Sequence, residues 1–147
     1  MDTTLIDSID WDNLSHAYGV ASDAPSELKN LLSNNQDARE NAVYGFLYSS
    51  AYHKGDVYSC TPDVILCVLH IIKNEDIDSL EVISSPLIRE LMGFISACAR
   101  TWKFEPKIGK AVYTGKELYG NYLEHTDEAT SEHARNLVKI CDDYEKA

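Results

Sequence analysis

The chain has 147 residues, the size of one ordinary domain, and its 44% hydrophobic and 25% charged residues are typical of a globular protein. Its 24 acidic residues outnumber its 13 basic residues, which gives a formal net charge of −11. A field of this sign repels nucleic-acid phosphates and anionic membranes, and it attracts basic proteins. We therefore expect neither a nucleic acid nor a membrane as partner. General solubility is the alternative reason for the acidic excess.

The N-terminus and the cysteines predict a cytoplasmic location. Residues 1–7 are acidic and lack the basic start and apolar run of a targeting segment. The longest apolar stretch, from Val64 to Ile72, is too short to span a bilayer. None of the cysteines forms a CxxC pair or has a His at zinc-finger spacing, so we expect reduced core residues. The cysteines are Cys60, Cys67, Cys98 and Cys141.

The first predicted elements are helical. Trp11, Leu14 and Tyr18 are spaced three and four residues apart, as in a short amphipathic turn or helix that Gly19 would end. A helix follows over about 24–33, with a Ser or Asp cap and a proline in its first turn. A longer helix is predicted over about 36–52. Gly45 weakens this helix by about 1 kcal/mol, which predicts a close packing contact there.

The middle of the chain predicts two well-buried helices. Thr61, Pro62 and Asp63 place a cap, a proline and an acid in the order that begins a helix over about 61–73. This segment is apolar on nearly every side, so a buried strand is the alternative. The absence of any other good strand favours the helix. A further helix is predicted from Ser84 to about Trp102, with apolar residues at helical spacing.

The last third predicts a weaker helix over about 108–125, followed by a helix over about 128–146. Three glycines lie in the first of these, and a break near Thr114 and Gly115 is expected. The final helix is expected to begin near Asp127 or Thr130 and has a clear apolar stripe.

The predicted helices align as three pairs: 24–33 with 36–52, 61–73 with 84–102, and 108–125 with 128–146. The second helix of each pair has an arginine near its first turn, at Arg39, Arg89 and Arg135. These arginines are 50 and 46 residues apart, so the first spacing is slightly longer than the period of about 40 to 47 residues of common two- and three-helix repeats, and the second falls within it.

At these positions the sequence resembles the HEAT/armadillo-like repeat family. WDNLSHAYG (11–19), residues 37–47 and YHKGDVY (52–58) are similar to small bacterial HEAT-like proteins. The resemblance implies one all-α domain over residues 1–147. This domain would contain about three stacked antiparallel helix pairs, a HEAT-like α-solenoid, after a short N-terminal helical segment. The concave wall of such a fold binds proteins or nucleic acids, and the net charge favours a basic protein.

Motifs for catalysis or cofactor binding are absent from the sequence. The five histidines form no HExxH, and there is no GxSxG elbow, P-loop or GxGxxG. Asp76 and Asp78 are paired acids in a predicted loop, where a solvated turn is the simpler interpretation. Lysines at 103, 107, 110 and 116 are suited to contact phosphate, or are simply solvated. We therefore expect a protein that is not an enzyme and that has no cofactor and no metal.

Tyrosines and acids provide the predicted binding surface. Tyr44, Tyr48 and Tyr52 are four residues apart on one helix, where they either pack against a neighbouring helix or contact a partner. The predicted partner-binding residues are Glu40, Tyr44, Tyr48, Asp56, Tyr58, Glu75, Asp76 and Asp78.

The size, the acidity and the resemblance together predict an immunity protein of a contact-dependent inhibition or other polymorphic toxin system. Its partner would be a cognate toxin, basic and of nuclease type, whose active site it occludes. Two alternatives remain open at this point. One is a non-catalytic adaptor or scaffold subunit of a larger complex, and the other is an enzyme on a helical-repeat scaffold.

Overall fold

The computed structural model describes all residues from Met1 to Ala147 and is mostly helical. None of its helices is both long enough and apolar enough to cross a bilayer. The α-helices are α1 (Thr4–Ser8), α2 (Ala24–Asn30), α3 (Gln36–Glu40), α4 (Thr61–Asn74), α5 (Leu87–Ala99), α6 (Pro106–Tyr113), α7 (Lys116–Gly120) and α8 (Glu128–Lys146). A short 3-10 helix covers Trp11–Asn13, and a π-helix over Asn41–Ala51 continues α3.

Three antiparallel β-hairpins correct the all-α prediction. Their strands are β1 (Ser15–His16) with β2 (Gly19–Val20), β3 (Tyr52–His53) with β4 (Asp56–Val57), and β5 (Glu81–Val82) with β6 (Ser85–Pro86). Each strand has two residues, too few for the alternation that identifies a strand in sequence. Gly19 therefore lies in a hairpin at φ 127° and does not end a helix.

The predicted helix over 36–52 is helical but changes its geometry. The Asn35 side chain caps α3 by accepting from the backbone N–H of Ala38 at 3.1 Å. From Asn41 the helix is a wider π-helix, a form that in proteins is usually limited to single turns. A Cβ built on Gly45 meets nothing within 4 Å, so the prediction of a close packing contact at Gly45 is wrong.

The helix boundaries follow the capping signals in most places. The segment starting with Thr61 is helix α4, which excludes the strand alternative. The predicted break near Thr114 is confirmed as the boundary between α6 and α7. Gly115 is required at this break, because a Cβ there would lie 2.5 Å from the Tyr119 ring. The helix predicted from Ser84 begins only at Leu87, since Ser85 and Pro86 form β6.

One hydrophobic core holds the helices together. Helix α4 packs against α2 and α6, while α5 packs against the π-helix and α8. Helix α8 also packs against α6 and α7. All four cysteines are free and buried in this core, and burial raises the pKa of the Cys60 and Cys67 thiols to about 12. These thiols are therefore protonated at neutral pH.

Candidate partner-binding surface

The predicted binding residues lie at two opposite ends of helix α4. This helix has 14 residues and is therefore about 21 Å long. Asp56 and Tyr58 come before its first residue, whereas Glu75 follows its last. The loop after Glu75 leads into hairpin β5–β6, which contacts α3 and so lies beside Glu40. The structure thus places Asp56 and Tyr58 apart from the other predicted residues.

We call the end of the protein that contains Glu40, Glu75, Asp76 and Asp78 the acidic end. It consists of the first turns of α3, α5 and α8 together with the segments that precede α5 and α8. Its acidic residues are Asp37, Glu40, Glu75, Asp76, Asp78, Glu81, Glu90, Glu124, Asp127 and Glu128.

The arginines at the acidic end are engaged by the chain itself. Arg39 is only 8% exposed and donates to the carbonyl oxygens of Ser33 at 2.7 Å and Glu81 at 3.0 Å. Arg89 makes a bidentate pair with Asp127, at 2.5 Å from Nη2 and 3.0 Å from Nε. The hydrogen bonds from Arg89 hold the pKa of Asp127 well below its usual range. Neither guanidinium is left to neutralise the remaining acids.

Glu40, Tyr44 and Glu90 form a continuous patch at this end. The Glu40 carboxylate accepts the backbone N–H of Ile83 at 3.2 Å, and Glu90 accepts the Ser85 hydroxyl at 3.0 Å. Tyr44 is half-buried, and burial followed by the charges of Glu90 and Glu40 raises its pKa. No Lys, Arg or His nitrogen lies within 4.0 Å of the carboxylates of Glu40 or Glu90. This patch therefore offers unpaired charge beside an aromatic ring.

The side chain of Tyr48 packs against helix α5. Its hydroxyl donates to the carbonyl oxygen of Glu90 at 3.0 Å, and its ring meets Phe94 edge-on at 6.0 Å. Tyr44 stacks on it, with ring centroids 6.4 Å apart. Burial raises the pKa of Tyr48 far above its usual range, so the phenol stays neutral. Tyr48 therefore packs between Tyr44 and helix α5, and Tyr44 is the ring that a partner could reach.

The loop after α4 adds exposed carboxylates. Glu75 lies 3.9 Å from the N-terminal amine, while Asp76 and Asp78 are exposed and have no cationic partner within 4.0 Å. The Asp76 carboxylate accepts the backbone N–H of Asp78 at 3.3 Å, which is an Asx turn and not a catalytic pair. Burial and then the charge of Asp78 raise the pKa of Tyr122, which lies in the α7–α8 connection.

The opposite end, where Asp56 and Tyr58 lie, carries both acidic and basic side chains. Tyr18 is 66% exposed and meets the His53 ring edge-on at 5.7 Å, while burial followed by Asp56 and Tyr18 raises the pKa of Tyr58. A groove of about 910 Å³ lies between hairpin β3–β4, α4 and α6. Tyr58, Asp63, Glu105, Lys107 and Lys110 are among its lining residues. Lys116 belongs to neither end, since it pairs with Asp142 at 3.2 Å and Glu145 at 2.6 Å.

A second groove, of about 360 Å³, runs between α5 and α8. Arg100, Glu132, His133 and Asn136 line it, so titratable groups do converge here. Burial lowers the pKa of His133, which favours a neutral imidazole. No hydrogen bond joins His133 to a serine or a carboxylate, and no three His, Cys, Asp or Glu side chains are placed to share a metal ion. The groove has the groups of a polar binding site without an aligned nucleophile and base.

Sequence reasoning missed Ile83 of the acidic end, together with the acids Glu81 and Glu90 beside it. Ile83 is 63% exposed at the tip of hairpin β5–β6, where it has a positive φ of 44°. Its turn contains Ile and Ser where such turns usually have Asn and Gly, so no turn signal marks it in the sequence. A comparison with known proteins gives no significant match to any family model, curated protein or solved structure.

Proposed function

We propose that this chain is a HEAT-like binding protein that captures a basic protein at its acidic end, as the immunity protein of a toxin system. In this proposal the helices form three antiparallel pairs: α2 with α3 and its π-helix, α4 with α5, and α6–α7 with α8. The packing of α4 between α2 and α6, and of α5 between the π-helix and α8, supports such a stack.

The observation that carries the proposal is the uncompensated charge of the acidic end. Arg39 and Arg89 are engaged internally, while Glu40, Glu90, Asp76 and Asp78 have no cation within 4.0 Å. A surface with several unpaired carboxylates increases the encounter rate with a basic protein and disfavours acidic partners. Tyr44 adds an aromatic contact of the kind that contributes strongly to protein interfaces.

The toxin role rests on the resemblance together with this surface. A nuclease-type toxin has a basic groove for phosphates, and a carboxylate-rich surface has the charge needed to occupy that groove. The adaptor alternative would use the same surface for a stable partner in a larger complex. The two roles differ in whether the partner is harmful when it is alone.

The test has two steps. The tagged chain is used to capture proteins from its native host at low and at high salt, and the retained proteins are identified by mass spectrometry. We expect one small basic protein, held near-stoichiometrically at low salt. That protein is then expressed alone and together with this chain. Growth arrest that co-expression relieves supports the immunity role, and harmless expression would refute it. Retention of a large assembly would favour the adaptor role.

A further inference from the structure

The tip of hairpin β5–β6 places a β-branched residue where the backbone disfavours it. Ile83 and Ser84 form the two-residue loop, with φ values of 44° and 64°. Turns with two positive φ values favour Asn and Gly, and a β-branched residue there is a genuine outlier. The loop of hairpin β3–β4 has the same form with Lys54 at 49° and Gly55 at 93°, so it follows the usual preference at its second position.

The Ile83 side chain is also exposed among acids. It is 63% exposed, although the preceding Val82 and the following Leu87 are completely buried. The carboxylate of Glu40 accepts its backbone N–H, and the exposed Glu81 is two residues away on the same hairpin. Most of this apolar side chain is therefore exposed to water in the free protein, on a hairpin that also carries an exposed carboxylate.

Hydrogen bonds to side chains of the neighbouring helices hold the tip in place. Arg39 of α3 donates to the carbonyl oxygen of Glu81, and Glu40 accepts from the N–H of Ile83. Glu90 of α5 accepts from the hydroxyl of Ser85. A strained conformation persists only when its surroundings over-determine it, and such residues concentrate at binding sites. The tip is thus presented in a fixed position before any partner arrives.

We propose that Ile83 is the apolar anchor of the acidic end, and that it inserts into an apolar pocket on the basic protein partner. This inference rests on the proposed function, because it assigns the contact within that same surface. Glu40, Glu81 and Glu90 form the acidic rim and face lysines and arginines around the pocket. An apolar centre inside a charged rim is the usual arrangement of an interface hot spot.

The anchor role predicts that stability and binding change in opposite directions. Ile83→Gly fits the turn better, so the Tm is expected to rise by about 3 °C. The same change is expected to weaken binding of the captured basic protein at least about tenfold, because the anchor is lost. Ile83→Val retains the branched apolar side chain and should keep most of the affinity. Lys54→Gly is the matched control, since it relieves the same turn position at the opposite end. It should raise the Tm without changing affinity.

The measurement is the affinity of the purified basic protein for each variant by biolayer interferometry, with the Tm taken from circular dichroism. Lower affinity of Ile83→Gly with a higher Tm supports the anchor. Unchanged affinity of Ile83→Gly overturns the anchor and leaves the proposed function standing. A fall in its Tm would overturn the strain argument. If the capture experiment retains no basic protein, the proposed function fails, and the anchor fails with it.

Discussion

The ion pair between Arg89 and Asp127 gives a prediction whose size follows from its geometry. The Asp127 carboxylate caps α8 by accepting the N–H of Thr130 at 3.0 Å, and it also pairs with Arg89. Loss of an N-cap costs about 1 kcal/mol. The pair adds about 1 kcal/mol, because Arg89 is 36% exposed and solvent screens part of the attraction. Asp127→Ala should therefore lower the free energy of unfolding by about 2 kcal/mol.

Asp127→Asn separates the two contributions. Asn keeps an oxygen for the cap but loses the charge, so a loss of about 1 kcal/mol is expected. Arg89→Met should cost a similar amount, and the double variant should cost less than the sum of the two single changes. Urea denaturation followed by circular dichroism gives these free energies. Equal losses for Asp127→Asn and Asp127→Ala would refute the assignment of a separate capping role.

The pair also predicts the sign of a pH dependence. The pKa of Asp127 is lower in the folded chain than in the unfolded chain, where it lies near about 3.9. Its contribution to stability is therefore complete above that value and is lost as the pH falls below it. The difference in stability between the parent chain and Asp127→Asn should shrink between about pH 4 and pH 2. A difference that stays constant over this range would contradict the pairing.

Three further predictions concern packing and burial. Gly115→Ala should lower the free energy of unfolding by about 2 kcal/mol or more, because its Cβ would lie 2.5 Å from the Tyr119 ring and 2.8 Å from Leu69. Gly45→Ala should be neutral or stabilising, since a Cβ there meets nothing within 4 Å, and equal effects of the two changes in thermal melts would contradict the packing described. The four buried cysteines should not react with a disulfide reagent within minutes in the native chain, and all four should react in denaturant. Rapid native labelling of any cysteine would show that the core opens readily.

The helical part of the fold was predictable where local signals are strong. Thr61, Pro62 and Asp63 identify the start of α4, and the glycine near Thr114 identifies the break between α6 and α7. The hairpins could not be predicted from the same signals. Their strands are too short for periodicity, and Ile83 occupies a turn position that its residue type disfavours.

The surface was predictable in composition but not in arrangement. Tyr44 and Tyr48 belong to the same stripe of tyrosines four residues apart, so the sequence does not distinguish their roles. Only the contacts of Tyr48 to Phe94 and to the Glu90 carbonyl show that it is a packing residue. The role of Glu40 depends on a hydrogen bond to Ile83, 43 residues away, which no local pattern reveals. Asp56 was grouped with Asp76 by charge alone, although the length of α4 separates them.

The most direct test of the central claim is the association rate of the captured basic protein with two charge-matched variants. The first, Asp76→Lys with Asp78→Lys, reverses two exposed acids of the acidic end. The second, Asp56→Lys with Glu105→Lys, makes the same change in net charge at exposed acids of the opposite end.

Stopped-flow measurements at low salt should show association slowed about threefold or more by the first pair and changed far less by the second. The difference should disappear at high salt, where the charges are screened. Equal effects of the two pairs would mean that overall charge and not the acidic end guides the encounter. No effect of either would contradict electrostatic capture altogether.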